Sequence, residues 1–118
     1  MIRQVQISVD VSGASGSATG SGVSAYPLNG KIMAVHLDYT TQPATCDVTV
    51  VAGVPSQTVL VVSNANTDAW FYPRVQTDTD GGAAISGGYD VAVVDGYVTV
   101  SVAQGDAGAV VATILLEE

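Results

Sequence analysis

The sequence predicts an all-β protein: an antiparallel β-sandwich, or a jelly roll, of about eight strands with no significant helix. Apolar and polar residues alternate through most of the chain, which is the period of a strand with one buried and one solvated face. Thirteen glycines and four prolines divide the 118 residues into short segments, and no segment has the 3.6-residue apolar period of a helix. Without helices to form parallel crossovers, the strands are expected to pair antiparallel.

The N-terminal third contains two predicted strands and a small-residue segment. The first strand points four aliphatic side chains to one face: Val5, Ile7, Val9 and Val11. Residues 12–22 are almost entirely Ser, Gly, Ala and Thr, so we expect a flexible loop or hinge there. In the second strand, residues 31–39, alternation places Met33, Val35, Leu37 and Tyr39 on one face, and Ile32, Ala34, His36 and Asp38 on the other.

The middle of the chain contains three further predicted strands, over residues 46–52, 58–63 and 70–76. Residues 59–62 are continuously aliphatic, so we expect that strand to be buried on both faces. Pro73 lacks the N–H that a ladder needs, which indicates an edge strand or a bulge over residues 70–76. Residues 77–88 are rich in Gly and Asp and predict a long loop.

The C-terminal third carries the clearest local signal. Asp95-Gly96 between two apolar runs predicts a type I′ hairpin that joins strands over residues 91–94 and 97–103. A last strand is expected over residues 109–116. Because no linker or internal repeat divides the chain, we expect a single β domain over residues 1–118. Residues 1–22 are its N-terminal strand and flexible segment, and residues 23–118 are its sandwich core.

The charge balance excludes two classes of partner. The formal net charge is −8, with eleven carboxylates and three Lys/Arg residues, namely Arg3, Lys31 and Arg74. Nucleic acids and anionic membranes bind clustered cations, so we expect neither as a partner. A single cysteine fits synthesis in a reducing cytosol. We find no signal-peptide pattern and no apolar run near the ~20 residues that cross a bilayer.

Candidate chemistry is sparse. His36 and Cys46 are the only imidazole and thiol, and without a third orienting group we interpret them as structural residues. Residues 64–68 and 78–81 begin like calcium loops, but Ala69 and Val75 occupy the positions where the first loop needs glycine and glutamate. Asx-turns explain these segments better. We therefore expect no enzymatic activity, no catalytic residues, no cofactor and no metal.

The aromatic run over residues 70–74 is the strongest candidate for an interface. Two interpretations are open: a plug of the core, or an alternation in which Phe71 faces inward while Trp70, Tyr72 and Arg74 face out to dock a partner. We favour the second, because 47% hydrophobic and 12% charged residues suggest a surface partly covered by neighbours. The second choice is the first strand acting as an arm on a neighbour's sheet edge. Its interface residues are Val5, Ile7 and Val9.

Three segments carry a resemblance to a known class of proteins. They are residues 32–39, residues 47–50 and residues 66–74. The specific part is Thr-Asp-Ala-Trp-Phe-Tyr-Pro-Arg, within the last of these segments. The turn at Asp95-Gly96 and residues 98–104 add to the resemblance. From Gly30 onwards the chain resembles small β-rich virion proteins of tailed bacteriophages, of the capsid decoration (cement) type. The resemblance implies a homotrimer on the capsid surface of the virion that binds and stabilises the major capsid protein. It also implies synthesis in the cytoplasm of a bacterial host. Tail or head–tail proteins and carbohydrate-binding or adhesion modules are the alternatives.

Overall fold

The computed structural model describes all 118 residues and contains strands but no helix. The all-β prediction is confirmed, with eleven strands instead of about eight. They are β1 Ile2–Val11, β2 Ala18–Val23, β3 Leu28–Asp38, β4 Asp47–Ala52, β5 Gln57–Val62, β6 Ala69–Phe71, β7 Val75–Asp78, β8 Ala84–Asp90, β9 Ala92–Gly96, β10 Val98–Gly105 and β11 Gly108–Glu117. No helix has the length and apolar character needed to span a membrane.

Two antiparallel sheets and one separate ribbon make up the fold. The front sheet has the order β1-β11-β3-β6, and β9 also pairs with β3. The back sheet has the order β2-β10-β4-β5, and β7 and β8 form a two-stranded ribbon of their own. β3 accepts two partners in succession, β9 along its first half and β6 along its second. The two sheets therefore face each other as a sandwich, with β6 and β9 sharing one edge of β3.

One continuous core of 24 buried residues lies between the sheets. The period-two pattern supplies it from both sides: Val5, Ile7 and Val9 come from the front sheet, and Val48 and Val50 come from the back sheet. Each such side chain contributes about 1.5–3 kcal/mol when fully buried. The alternation that predicted the strands is thus also the source of their packing.

The predicted two faces of β3 are correct in its second half and wrong at Ile32. Val35 and Leu37 lie together in the core, in agreement with their assignment to one face, but Ile32, assigned to the other face, is also fully buried in the core. The ladder to β11 pairs Ala34 with Leu115 and Ile32 with Leu116, which leaves Met33 as an extra residue. A bulge of this kind shifts the alternation by one residue. Ile32 therefore faces the core, and Met33 is half-buried.

The predicted Asp95-Gly96 hairpin is wrong. Asp95 and Gly96 lie inside β9, which pairs with β3 in the front sheet. β10 begins at Val98 and pairs with β2 and β4 in the back sheet. The two strands are consecutive in the chain but belong to opposite sheets, so Asp95-Gly96 precedes a crossover between the layers instead of a tight turn within one.

The small-residue segment, expected to be a flexible loop, contains β2. This strand pairs with β10 on one side and passes close to β1 on the other. A Cβ at Gly20 would collide with the carbonyl oxygen of Asp10, and one at Gly22 would lie 2.6 Å from the carbonyl oxygen of Ser8. Glycine is therefore needed there because the backbones of β1 and β2 approach closely at the corner where the two sheets meet.

β5 is not buried on both faces as expected. It is the edge strand of the back sheet, and Val61 is 58% exposed on its outer side. Leu60 and Val62 are half-buried against the core. The predicted loop over residues 77–88 is also partly wrong, because β7 and β8 occupy most of it.

Gln42 closes one end of the sandwich. Its side chain is 4% exposed. Its Nε2 donates to the carbonyl oxygen of Asp106 at 3.0 Å, and its Oε1 accepts from the N–H of Asp106 at 2.9 Å. The Asp106 carboxylate in turn accepts from Ser15 Oγ at 2.9 Å and from the N–H of Gly16 at 2.8 Å. The β1–β2 turn, the β3–β4 connection and the β10–β11 turn are thereby joined.

Candidate functional site

The aromatic run lies on β6 and the segment that leads from it into β7. Exposure alternates without a break from Trp70 to Asp78: Trp70, Tyr72, Arg74, Gln76 and Asp78 are exposed, and the residues between them are buried or half-buried. Phe71 and Val75 pack against the core from the inner side. The predicted alternation is confirmed, so Trp70 and Tyr72 point away from the sandwich on the outer face of the front sheet.

Trp70 lies at the end of a row of side chains across this outer face. It is paired with His36, which is paired with Thr113, which is paired with Gln6. The His36 and Trp70 rings are 5.0 Å apart between centroids and tilted by 59°, and Gln6 Nε2 donates to Thr113 Oγ1 at 3.5 Å. His36 holds the indole on one side, and Trp70 remains 45% exposed.

Tyr72 and Tyr89 extend the exposed aromatic surface beyond Trp70. Tyr72 is 65% exposed, and Tyr89, which faces Gln76 across the β7–β8 ribbon, is 60% exposed. We call Trp70, Tyr72 and Tyr89 the aromatic strip. Three large rings held in water in this way are characteristic of protein surfaces that bind a partner.

The Arg74 side chain is partly engaged in hydrogen bonds within the protein. Its Nη1 donates to the carbonyl oxygen of Met33 at 3.3 Å and to that of Pro73 at 2.8 Å. Met33 is the bulged residue of β3, opposite the gap between β9 and β6, where no strand satisfies the carbonyl. The guanidinium therefore fixes the start of the ribbon to the front sheet, and its remaining donors stay exposed beside Tyr72.

The second-choice interface residues do not form a surface. Val5, Ile7 and Val9 are 6%, 2% and 0% exposed, and they lie in the core. β1 pairs with β11 along its whole length, from Ile2 opposite Glu117 to Val11 opposite Gly108. The strand is thus an integral part of the front sheet, and the prediction of an arm free to join a neighbour is corrected.

His36 and Cys46 do not form a pair. His36 lies on the outer face against Trp70, whereas Cys46 is fully buried at the start of β4. Burial, with the nearby Asp47 and Asp106, raises the pKa of the Cys46 thiol. The thiolate needed for nucleophilic attack is therefore disfavoured at neutral pH.

The calcium-like segments use their oxygens within the fold. Asp68 Oδ1 accepts from the N–H of Tyr39 at 2.9 Å, and Asn66 Nδ2 donates to the carbonyl oxygen of Gln42 at 2.9 Å. Thr79 Oγ1 accepts from the N–H of Ala83 within the ribbon turn. No group of three or more His, Cys, Asp or Glu side chains is placed to hold a metal ion. The contacts support the interpretation of these segments as capped turns.

Sequence reasoning missed Tyr89 and Ile85. Both lie on β8 and both are exposed. Ile85 falls within the predicted loop over residues 77–88, and Tyr89 directly follows it. The available signal was two large apolar residues in an otherwise small and polar stretch.

Comparison of the chain with protein-family models and with curated proteins finds no match in either set.

Proposed function

We propose that this chain is a non-enzymatic structural protein of a tailed-phage virion, which decorates the capsid as a homotrimer and stabilises it by binding major capsid protein subunits. The observation that carries the proposal is the aromatic strip: regular alternation from Trp70 to Asp78 exposes Trp70 and Tyr72, and β8 exposes Tyr89. The resemblance of residues 66–74 to decoration proteins supports the choice of partner.

The physical basis is the large area that aromatic rings bury on docking. Tyr and Trp bury about 150–250 Å² each and dominate interface energetics. One strip covers only part of the ~800 Å² that each partner buries in a standard interface. A trimer that engages several capsid subunits at once multiplies such weak contacts through effective concentration. Repeated identical capsid sites therefore suit a small protein with one modest docking surface.

The decisive experiment compares two Tyr→Ala variants in cosedimentation with capsids assembled from the major capsid protein of its phage. Tyr72→Ala removes a ring of the strip, while Tyr97→Ala removes a ring that is 50% exposed outside it. We expect binding to fall at least 10-fold for Tyr72→Ala and less than twofold for Tyr97→Ala, since hot-spot rings contribute about 2 kcal/mol or more. Equal binding by both variants would refute the proposed role of the strip.

The homotrimer is tested separately by light scattering of the purified protein. We expect a mass of three times the 11.9 kDa of one chain. A protein that remains monomeric at high concentration would contradict the trimer.

A second candidate function is binding of carbohydrate. Trp70 lies on the same sheet face as the polar groups of Gln6, Thr113 and His36, and a ring beside hydrogen-bonding groups is suited to a sugar. Because Trp70 is the only tryptophan, its fluorescence reports contact directly. Quenching of this fluorescence by an oligosaccharide identified on a glycan array, with no capsid binding, would favour this function over decoration.

A further inference from the structure

The β7–β8 ribbon is the least covered part of the molecule. Its strands pair only with each other, and of its side chains only Val75 packs against the core. Every residue of β8 is exposed except Gly88, which is half-buried. The ladder is also interrupted by an irregularity. Between the pairs Gln76–Tyr89 and Asp78–Ala84, Thr77 alone faces the four residues from Ile85 to Gly88.

Contact with a partner would stabilise a ribbon of this kind. An isolated two-stranded hairpin is at best marginally stable in water. Tyr89 is 60% exposed and shares the outer face of the ribbon with Gln76 and Asp78, so apolar surface is available there for burial. Ile85 lies on the other face, against Gly88 and Thr77. Docking would cover this surface and fix a strand pair that the rest of the chain contacts mainly at its base.

Charge determines which kind of surface fits the ribbon. Residues 75–90 include Asp78, Asp80 and Asp90 and contain no Lys, Arg or His. The Asp90 carboxylate accepts from the N–H of Val91, whereas Asp78 and Asp80 are exposed near the ribbon's turn. A basic surface therefore complements the ribbon, whereas an acidic one is disfavoured because like charges across an interface oppose association.

A second copy of this chain cannot supply that basic surface. Its net charge is −8 with three cations. Arg3 is paired with Glu118 at 3.6 Å and lies over the Tyr26 ring at 4.9 Å, and Arg74 is bonded to the Met33 carbonyl. Lys31 alone is left without such a contact. The ribbon is consequently unsuited to the contacts within a homo-oligomer.

We propose that the β7–β8 ribbon docks through Tyr89 onto a Lys/Arg-rich surface of a different protein, with Asp78 and Asp80 facing its cations. This inference deepens the proposed function and rests on it, since that function supplies the major capsid protein as the partner. It adds that the partner surface is basic and that the ribbon is a heterologous contact.

The test compares two charge-neutralised double variants. Asp78→Asn with Asp80→Asn removes two charges from the ribbon, and Asp10→Asn with Glu117→Gln removes two exposed charges elsewhere. Binding to assembled capsids is measured from 50 to 500 mM NaCl. We expect the ribbon variant to bind roughly 3- to 10-fold more weakly at low salt and to lose part of the salt dependence, and the control variant to resemble the wild type.

A second probe makes the result independent of the capsid. A poly-L-lysine surface presents cations without any other feature of a capsid, and we expect the ribbon variant to lose more affinity for it than the control variant. Equal losses by the two variants on poly-L-lysine would overturn the inference. So would capsid binding in which the ribbon variant matches the wild type at every salt concentration.

The apolar half of the contact is tested with Tyr89→Ser on the same capsids, and Ile85→Ser, on the opposite face of the ribbon, is the control. We expect weaker binding with unchanged salt dependence for Tyr89→Ser alone, and unchanged binding by Tyr89→Ser would overturn the assignment of Tyr89. Capsids that bind none of the proteins, wild type included, would instead refute the proposed function. The poly-L-lysine comparison would then still decide whether the ribbon is the site for cations.

Discussion

The outer faces of the two sheets differ although their inner faces are alike. The front sheet carries His36 and Trp70 on its outer face. The strands of the back sheet contain no aromatic residue, and its outer rows are formed by small hydroxyl side chains and valines. Examples are Ser21, Ser101, Thr49 and Val61, which lie side by side across the sheet.

Folding explains why the two inner faces are alike, but it does not explain why the two outer faces differ. Both inner faces are aliphatic because a sandwich core must be apolar from both sides. Nothing in core packing requires Trp70 to be on the outside of one sheet and every aromatic residue to be missing from the strands of the other. The front face therefore carries aromatic surface that folding does not explain, and the back face is an ordinary solvated sheet.

The largest effect on stability is expected from truncating a buried side chain on either inner face, which tests whether the two faces belong to one core. Val35 in the front sheet and Val100 in the back sheet are both 0% exposed. We expect Val35→Ala and Val100→Ala each to lower the free energy of unfolding by about 3 kcal/mol, through lost transfer energy and a small cavity. Urea denaturation measures both. A loss from only one of the two variants would show that the sheets do not share one core.

A slightly smaller effect is expected where the sheets are joined at one end. Gln42→Ala would leave the N–H and carbonyl of Asp106 without their partners. We expect a loss of about 2–3 kcal/mol, because buried polar groups without hydrogen bonds cost about 1–3 kcal/mol each. Gln57→Ala is the control, since it removes an exposed bond to the Val93 carbonyl and should cost less than 1 kcal/mol. Equal melting temperatures for the two variants would contradict the role of Gln42.

The pH dependence reports on Tyr39, which the front sheet buries close to Cys46. Burial, with the nearby Cys46 and Asp68, raises the pKa of Tyr39 from 10.0 to about 12. Above pH 10 the unfolded chain loses this proton while the folded chain retains it. Stability is therefore complete below pH 10 and falls as the pH rises towards 12, by up to roughly 2 kcal/mol.

Tyr39→Phe isolates this contribution. The Tyr39 hydroxyl has no hydrogen-bond partner in the protein, so we expect little loss at pH 7 from its removal. Between pH 10 and 12, thermal unfolding of Tyr39→Phe should fall less steeply than that of the wild type. Parallel curves for the two proteins would place the Tyr39 hydroxyl in water and not in the core.

The smallest effects on stability are expected on the outer faces. Trp70→Ala loses the contact with His36, and Thr49→Ala loses a half-buried hydroxyl on the back sheet. We expect each to cost about 1 kcal/mol or less, while only Trp70→Ala weakens capsid binding. Thermal melts and cosedimentation of both variants check this, and a severe loss of stability in Trp70→Ala would show that the indole is part of the core.

Much of the fold follows from local alternation. β1 and the second half of β3 show their core faces directly in the sequence, and the same alternation predicts which of residues 70–75 face out. Local patterns do not reveal the bulge at Met33, because it is defined by the pairing of β3 with β11, far away in the chain. They also mislead at Asp95-Gly96, where turn chemistry suits a hairpin but β9 pairs instead with the first half of β3.

The candidate site was predictable where it depends on one strand and not where it depends on two. Trp70 and Tyr72 could be assigned because they alternate with Phe71 on a single segment. Tyr89 joins them only through its pairing with Gln76, and Arg74 is engaged only because β6 and β9 leave a gap beside Met33. Such relations arise from the assembled sheet, so a single sequence does not contain them as a pattern.

The close approach of β1 and β2 gives residues 12–22 an uneven tolerance to mutation. Their composition is that of a linker, in which substitutions are usually harmless. Here Gly20 and Gly22 face backbone carbonyls, whereas Ala14 and Ser17 are exposed in the turn. Genetic variation in this segment should consequently be tolerated in the turn and restricted at Gly20 and Gly22. A segment with the composition of a linker therefore forms part of the close packing between β1 and β2.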